Sequence, residues 1–146
     1  MKKFILCFFL LVFLLSISYA GNLGVGVVVG EPTGLSLRLW QGKNTALDFG
    51  LAWSTIANVL HLSADYVNHN FEVFKINNGS LPFYYGIGAR ILVSDNTSFG
   101  IRLPLGIVYI PKGMPLDFFF EIVPTLELVP GTYFDVDGAL GFRYYF

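Results

Sequence analysis

The sequence predicts an all-β protein, an eight-stranded antiparallel up-and-down transmembrane β-barrel with short turns. Three observations carry this expectation. Short runs of alternating side chains recur, separated by turn residues. Within them, almost every charged residue keeps to one parity. Finally, 54% of the residues are hydrophobic and the mean hydropathy is +0.61. Yet beyond the N-terminus no apolar run approaches the ~20 residues of a spanning helix. A chain this apolar either builds a large soluble core or turns its apolar surface into lipid as a closed barrel.

The first twenty residues are set apart from the fold. "MKKFILCFFLLVFLLSISYA" opens with Lys2 and Lys3, continues in an apolar run from Phe4 to Leu15 and ends in Ser18-Tyr19-Ala20. That is the pattern of a cleaved secretory signal peptide, residues 1–20, ahead of a single barrel domain, residues 21–146. The one cysteine, Cys7, falls in the signal, so neither a disulfide nor thiol chemistry is expected. The formal charge of −1 suggests no nucleic-acid partner.

Eight strands are expected in order: Leu23–Gly30, Leu35–Gln41, Thr45–Ser54, Leu60–Phe71, Phe83–Val93, Phe99–Ile110, Leu116–Val129 and Tyr133–Phe146. Between the fourth and fifth, Asn78-Gly79 is a hairpin signal. The second strand sets Ser36, Arg38 and Trp40 against Leu35, Leu37 and Leu39. The third sets Asp48, Gly50 and Ala52 against Leu47, Phe49, Leu51 and Trp53. The fourth sets His61, Ser63, Asp65 and His69 against Leu60, Leu62 and Tyr66. The fifth sets Gly86, Gly88 and Arg90 against Tyr85, Ile87 and Ile91. The sixth sets Gly100, Arg102, Pro104 and Gly106 against Ile101, Leu103 and Leu105. In the seventh, "PLDFFFEIVPTLEL", the acids Asp117, Glu121 and Glu127 are odd, and the even positions are apolar throughout. The eighth sets Asp135, Asp137 and Arg143 against Leu140, Phe142 and Tyr144.

All four arginines thus share one face with seven carboxylates, whereas Lys43, Lys75 and Lys112 fall in connections or at strand ends. Arginine's planar fork suits enclosed pairs, and lysine prefers open water. The apolar face is too bulky to fill an eight-stranded interior, which is only wide enough for its own side chains. The charged face, with its Gly, Ala and Ser, fits one. Aromatic residues near strand ends on the apolar face, such as Trp53, Tyr66, Tyr85 and Tyr144, suit two membrane-interface girdles. The charged face is therefore expected inside, as an ion-pair network of Arg38, Asp48, Asp65, Arg90, Arg102, Asp117, Glu121, Glu127, Asp135, Asp137 and Arg143. Seven acids against four arginines leave three in excess, for which water near the ends, a carboxyl that holds its proton, or help from His61 and His69 is expected to compensate. Pro104 and Pro124 stand in mid-strand, where each removes a ladder hydrogen bond; a β-bulge would accommodate them and shift facing beyond it, and the sequence leaves open whether one is present. Glu127 and Val129 are the inward assignments such a shift would affect.

The terminus "ALGFRYYF", in which Phe146, Tyr144, Phe142 and Leu140 step back by two, resembles the signal read by the outer-membrane barrel assembly machinery. With the leader and the parity pattern, the chain resembles the small eight-stranded outer-membrane β-barrels of the OmpA transmembrane-domain and OmpX class. "GEPTGLSL" and "PLDFFFEIVP" also resemble segments of uncharacterised small barrels, without implying an activity. The resemblance implies a monomer in the cell outer membrane, in contact with lipid and lipopolysaccharide and folded by the assembly machinery. Its charged lumen would be plugged, with a structural, membrane-integrity or surface-interaction role. Eight strands leave no channel for solutes, so a general porin is not expected.

Two alternatives compete. His61-Leu62-Ser63 resembles the His-x-Ser of outer-membrane lipid A deacylases, although Ala64 stands where that family has Asn and parity turns His61 and Ser63 inward. A soluble periplasmic lipocalin-like carrier would alternate in the same way with its apolar face inside. No enzyme activity, cofactor or metal is expected. His61 and His69 lie about 26 Å apart along a strand at ~3.3 Å per residue, too far to share an ion.

Overall fold

The computed structural model describes Ile5, residues 22–30 and residues 32–146. The expected signal peptide lies outside the described residues apart from Ile5. From Asn22 onward, every element is a strand: β1 (Leu23–Gly30), β2 (Thr33–Trp40), β3 (Thr45–Ser54), β4 (Val59–Asn70), β5 (Gly79–Ser80), β6 (Phe83–Val93), β7 (Ser98–Arg102), β8 (Leu105–Pro111), β9 (Leu116–Val129) and β10 (Tyr133–Tyr145). All pairings are antiparallel, as short connections between neighbours require. β1 pairs with both β2 and β10, so the sheet closes on itself. β7 and β8 lie end to end, each between β6 and β9. The ring therefore has eight strand positions.

Three details differ from the sequence expectation. The sixth run is broken: β7 and β8 are separated by Leu103 and Pro104. Proline has no N–H to give the ladder, yet pairing continues through carbonyls. Gly86 N–H donates to Pro104 O at 3.0 Å, and Leu103 N–H donates to Pro124 O at 2.9 Å. The two prolines thus interrupt one small region, and facing does not shift there. Leu103 and Leu105 are exposed, whereas Pro104 and Gly106 are buried.

The register shift lies instead at Phe99/Gly100, which pair with Val129 and Glu127. Leu128 is the extra residue, so Glu127 stays buried and Val129, inward by simple parity, is exposed. Asn78-Gly79 does not form a tight hairpin. Gly79 and Ser80 pair with Pro111 and Ile110 of β8, and the β4–β6 connection spans residues 71–82.

The two faces separate by chemistry. Outward side chains on every position of the ring are apolar and exposed, among them Val27, Leu35, Phe49, Ile87, Phe120 and Leu140. Inward, Arg38 is 0%, Arg90 1% and Arg143 1% exposed. One end of the interior is packed by Ala46, Val67, Tyr84, Val108 and Phe119. Large inner rings sit across from glycines in register: Tyr84 from Gly106, and Phe119 from Gly141. A Cβ at Gly141 would stand 2.4 Å from the Phe119 ring. Gly141→Val therefore overfills the interior, at a cost of ~1–3 kcal/mol. The expected result is a lower denaturant midpoint by circular dichroism, partly restored by Phe119→Leu.

Candidate functional site

The connections divide between two mouths, because successive strands run in opposite directions. Residues 31–32, 55–58, 94–97 and 130–132 gather at one, here the upper mouth. Residues 41–44, 71–82 and 112–115 gather at the other, the lower mouth. Between them the charged side chains form three groups.

Nearest the lower mouth, Arg38 and Asp48 are cross-strand partners on β2 and β3. Arg38 donates from Nε to Asp48 Oδ1 at 2.6 Å and from Nη2 to Oδ2 at 2.5 Å. This is the two-pronged geometry that makes arginine–carboxylate pairs strong. Arg143 and Asp117 are partners on β10 and β9, with Nε at 3.0 and 3.2 Å from the two carboxylate oxygens. Tyr145 donates its hydroxyl to Asp117 at 2.5 Å. The guanidiniums also lie over rings: Arg38 at 4.9 Å from Tyr84 and Arg143 at 4.2 Å from Phe119.

His69 closes this group. Arg38 Nη1 lies 2.7 Å from His69 Nε2, and His69 Nδ1 lies 3.1 Å from Asn44 O. Arginine has no acceptor, so Nε2 must accept and Nδ1–H must donate to the carbonyl. That is a neutral imidazole. The expectation that His69 offsets the excess of acid is therefore corrected: its partner is itself a cation.

In the middle, Arg102 Nε is 3.0 Å from Asp65 Oδ1 and Nη2 is 3.8 Å from Glu121 Oε1. The first contact is close but misdirected, and neither atom makes a hydrogen bond. Tyr84 donates its hydroxyl to Glu121 at 2.7 Å. Nearest the upper mouth, Arg90 serves three acids: Glu127 from Nε at 2.5 Å, Asp137 from Nη1 at 2.6 Å and Asp135 from Nη2 at 3.1 Å. Gly100 lies in register between Arg90 and Glu127, leaving the path between them clear.

All eleven charged residues expected inside are thus brought together by ion pairs. Their hydrogen-bonded pairs span sequence separations of 10 to 47, and the Arg143–Asp48 contact at 3.8 Å joins residues still further apart, all closed by strand register. What parity alone did not reveal is the role of Tyr84 and Tyr145 as hydroxyl donors, or of Phe119 as a stacking partner. Position on the inner face was the available signal, together with a glycine in the opposing strand for Tyr84 and Phe119.

Two neighbouring spaces lie within. A central chamber of about 80 Å³ is lined by Ser63, Asp65, Arg102, Glu121 and Arg143, among others. A vestibule of about 410 Å³ opens at the upper mouth, lined by Ser54, Leu92, Tyr133, Asp135 and neighbouring residues. Pro32, His61 and Asp137 line both. His61 and Ser63 therefore face the interior, not the outer apolar face. On that outer face, Leu140, Phe142, Tyr144 and Phe146 are all exposed, with Tyr144 and Phe146 in edge contact at 5.2 Å.

Comparison with protein families, curated proteins and solved structures finds no match to this chain.

Breaking a buried ion pair from one side costs ~3–5 kcal/mol, because the remaining charge stays uncompensated. Arg90→Met strands three carboxylates and is expected to lose stability on that scale in denaturant titration. Arg90→Met combined with Glu127→Gln is expected to recover part of the loss. Equal stability of Arg90→Met and the parent would show that Arg90 does not hold this group together.

Proposed function

We propose that the chain is a small integral outer-membrane β-barrel, a monomer whose polar interior is plugged by its own ion pairs. Its role is structural, in membrane integrity, or in surface interaction through the upper mouth. The supporting observation is the inversion of faces. Exposed apolar side chains encircle the whole ring, whereas all four guanidiniums lie inside. Water-soluble monomers rarely expose contiguous apolar patches beyond a few hundred Å². Lipid is the solvent that matches such a belt, and a closed ring satisfies its backbone without edges. A lipocalin-like carrier would need the opposite arrangement.

The Tyr84–Phe119 cluster packs the interior toward the lower mouth, which supports a plugged interior over general solute passage. The inward placement of His61 and Ser63 keeps them from an acyl ester held in the surrounding lipid, so a deacylase role is not proposed. The four outward residues Leu140, Phe142, Tyr144 and Phe146 supply the assembly signal in this reading. Phe146→Ala is expected to lower the yield of folded protein in cells while leaving detergent refolding intact.

The two tryptophans give a direct test. Trp53 points outward and is exposed, whereas Trp40 lies against His69, ring centroids 4.4 Å apart. In a Trp40→Phe variant the remaining indole is expected to be quenched by lipids brominated on their acyl chains. The unheated protein is expected to run faster on a gel than the heated one and to fractionate with outer membranes. Recovery as soluble periplasmic protein with unquenched Trp53 would overturn the proposal.

A further inference from the structure

The central chamber gathers groups of both signs around one small space. Its wall carries Asp48, Asp65, Glu121 and Asp137, but also Arg102, Arg143 and His61. Three side-chain atoms of these residues are buried without a hydrogen-bond partner among the described residues: Arg143 Nη2, Arg102 Nε and Asp65 Oδ1. Arg143 is 1% exposed; its Nε is engaged by Asp117, and its Nη1 stands 3.8 Å from Asp48. Arg102 Nε and Asp65 Oδ1 form an ion pair at 3.0 Å, but in a direction that makes no hydrogen bond. Two of the three atoms are therefore donors and one is an acceptor. Folded proteins satisfy such buried groups with the chain itself or with ordered water.

The wall also selects the kind of molecule that answers them. A cation entering the chamber meets two guanidiniums, and an anion meets four carboxylates. A neutral molecule that both donates and accepts suits donors and acceptor alike. Size narrows the choice further. At about 30 Å³ per molecule, a space of about 80 Å³ takes roughly two or three waters and little that is larger. The side chains of Asp48, Arg102 and Glu121 keep 13–15% exposure although they face inward, so water-sized space reaches them.

We propose that the central chamber is a water-binding site, in which a small ordered cluster accepts from Arg143 Nη2 and Arg102 Nε and donates to Asp65 Oδ1. Water-mediated contacts of this kind are nearly as good in enthalpy as direct ones. The cluster joins two of the ion-pair groups: the lower through Arg143, and the middle through Arg102 and Asp65. Its wall is apolar at Phe119 and Val28, which belong to or pack against the lower cluster, and polar where His61 and Asp137 adjoin the vestibule. The ring is thus filled by side chains toward the lower mouth and wet at its centre. This inference depends on the interior alone and stands whether or not the outer belt meets lipid.

The test is water-selective nuclear magnetic resonance on the full folded chain in detergent, with nitrogen-labelled arginine side chains. Arg38, Arg90, Arg102 and Arg143 are the chain's only arginines, so single Arg→Lys variants assign their Nε–H signals. Arg102 and Arg143 are expected to receive through-space transfer from water, with the sign of a bound molecule and not of proton exchange. Arg38, whose three guanidinium nitrogens are taken up by Asp48 and His69, is expected to receive none. Ala52→Leu and Ser63→Val fill the chamber from β3 and β4. Each is expected to abolish the transfer to Arg102 and Arg143 while the Arg38 signal keeps its place, which reports a retained fold. Absence of transfer to Arg102 and Arg143 in the parent, equal transfer to Arg38, or unchanged transfer in a folded Ala52→Leu or Ser63→Val variant would each overturn the proposal.

Discussion

Four guanidinium groups enclosed in a narrow ring of strands set the terms for the rest of this molecule. A buried charge without a partner is prohibitively costly, so each arginine must meet a carboxylate brought from another strand. Arg38 and Arg143 find theirs directly across the ladder, in Asp48 and Asp117. Arg90 and Arg102 reach further, Arg90 past Gly100 to Glu127 and on to β10. Those contacts hold only in one register. A slip of one residue would turn an arginine outward and an apolar side chain inward. The ion pairs therefore specify the ring's alignment more than they add to its stability, since buried pairs often do little better than apolar packing of equal volume.

Much of this was legible in the sequence because a strand's period of two is rigid. Parity placed Arg38, Arg90, Arg102 and Arg143 with the seven acids, and the structure brings all eleven into one interior. Four strand ranges, those of β1, β3, β6 and β9, coincide with the sequence expectation. What parity could not supply was depth and angle. Nothing in the residue order distinguishes Asp117, fully buried against Arg143 and Tyr145, from Asp135 near the open mouth. His69 illustrates the limit: residue type alone suggested a counter-charge, and only the positions of Arg38 and Asn44 show it to be neutral.

The prolines posed a question the sequence left open. A ring has no free edge to absorb a missing donor, and a bulge was one way to accommodate each. Here Pro104 and Pro124 fall beside one another, with Leu103 between them in the ladder. Their carbonyls still accept, so the defect stays local as a break between β7 and β8 and the alternation survives. The register shift falls at Leu128, near the upper rim, where chain irregularity costs least. It moves Val129 outward and leaves Glu127 facing Arg90.

The division of charge gives the two halves different physical characters. Below, the arginines and acids balance, aromatic rings cover the guanidiniums, and Tyr145 adds a further donor to Asp117. That half pairs its charges among its own side chains, with Arg143 Nη2 as a buried guanidinium nitrogen there left without a hydrogen bond among the described residues. Above, one guanidinium is divided among three carboxylates, and Arg102 meets Asp65 at a poor angle. An interior designed only for rigidity would gain by exchanging one of these acids for a neutral residue, since that removes repulsion without stranding Arg90. Gathered beneath the open vestibule, where His61 also lines the wall, the acids leave this half less closely paired than the one below.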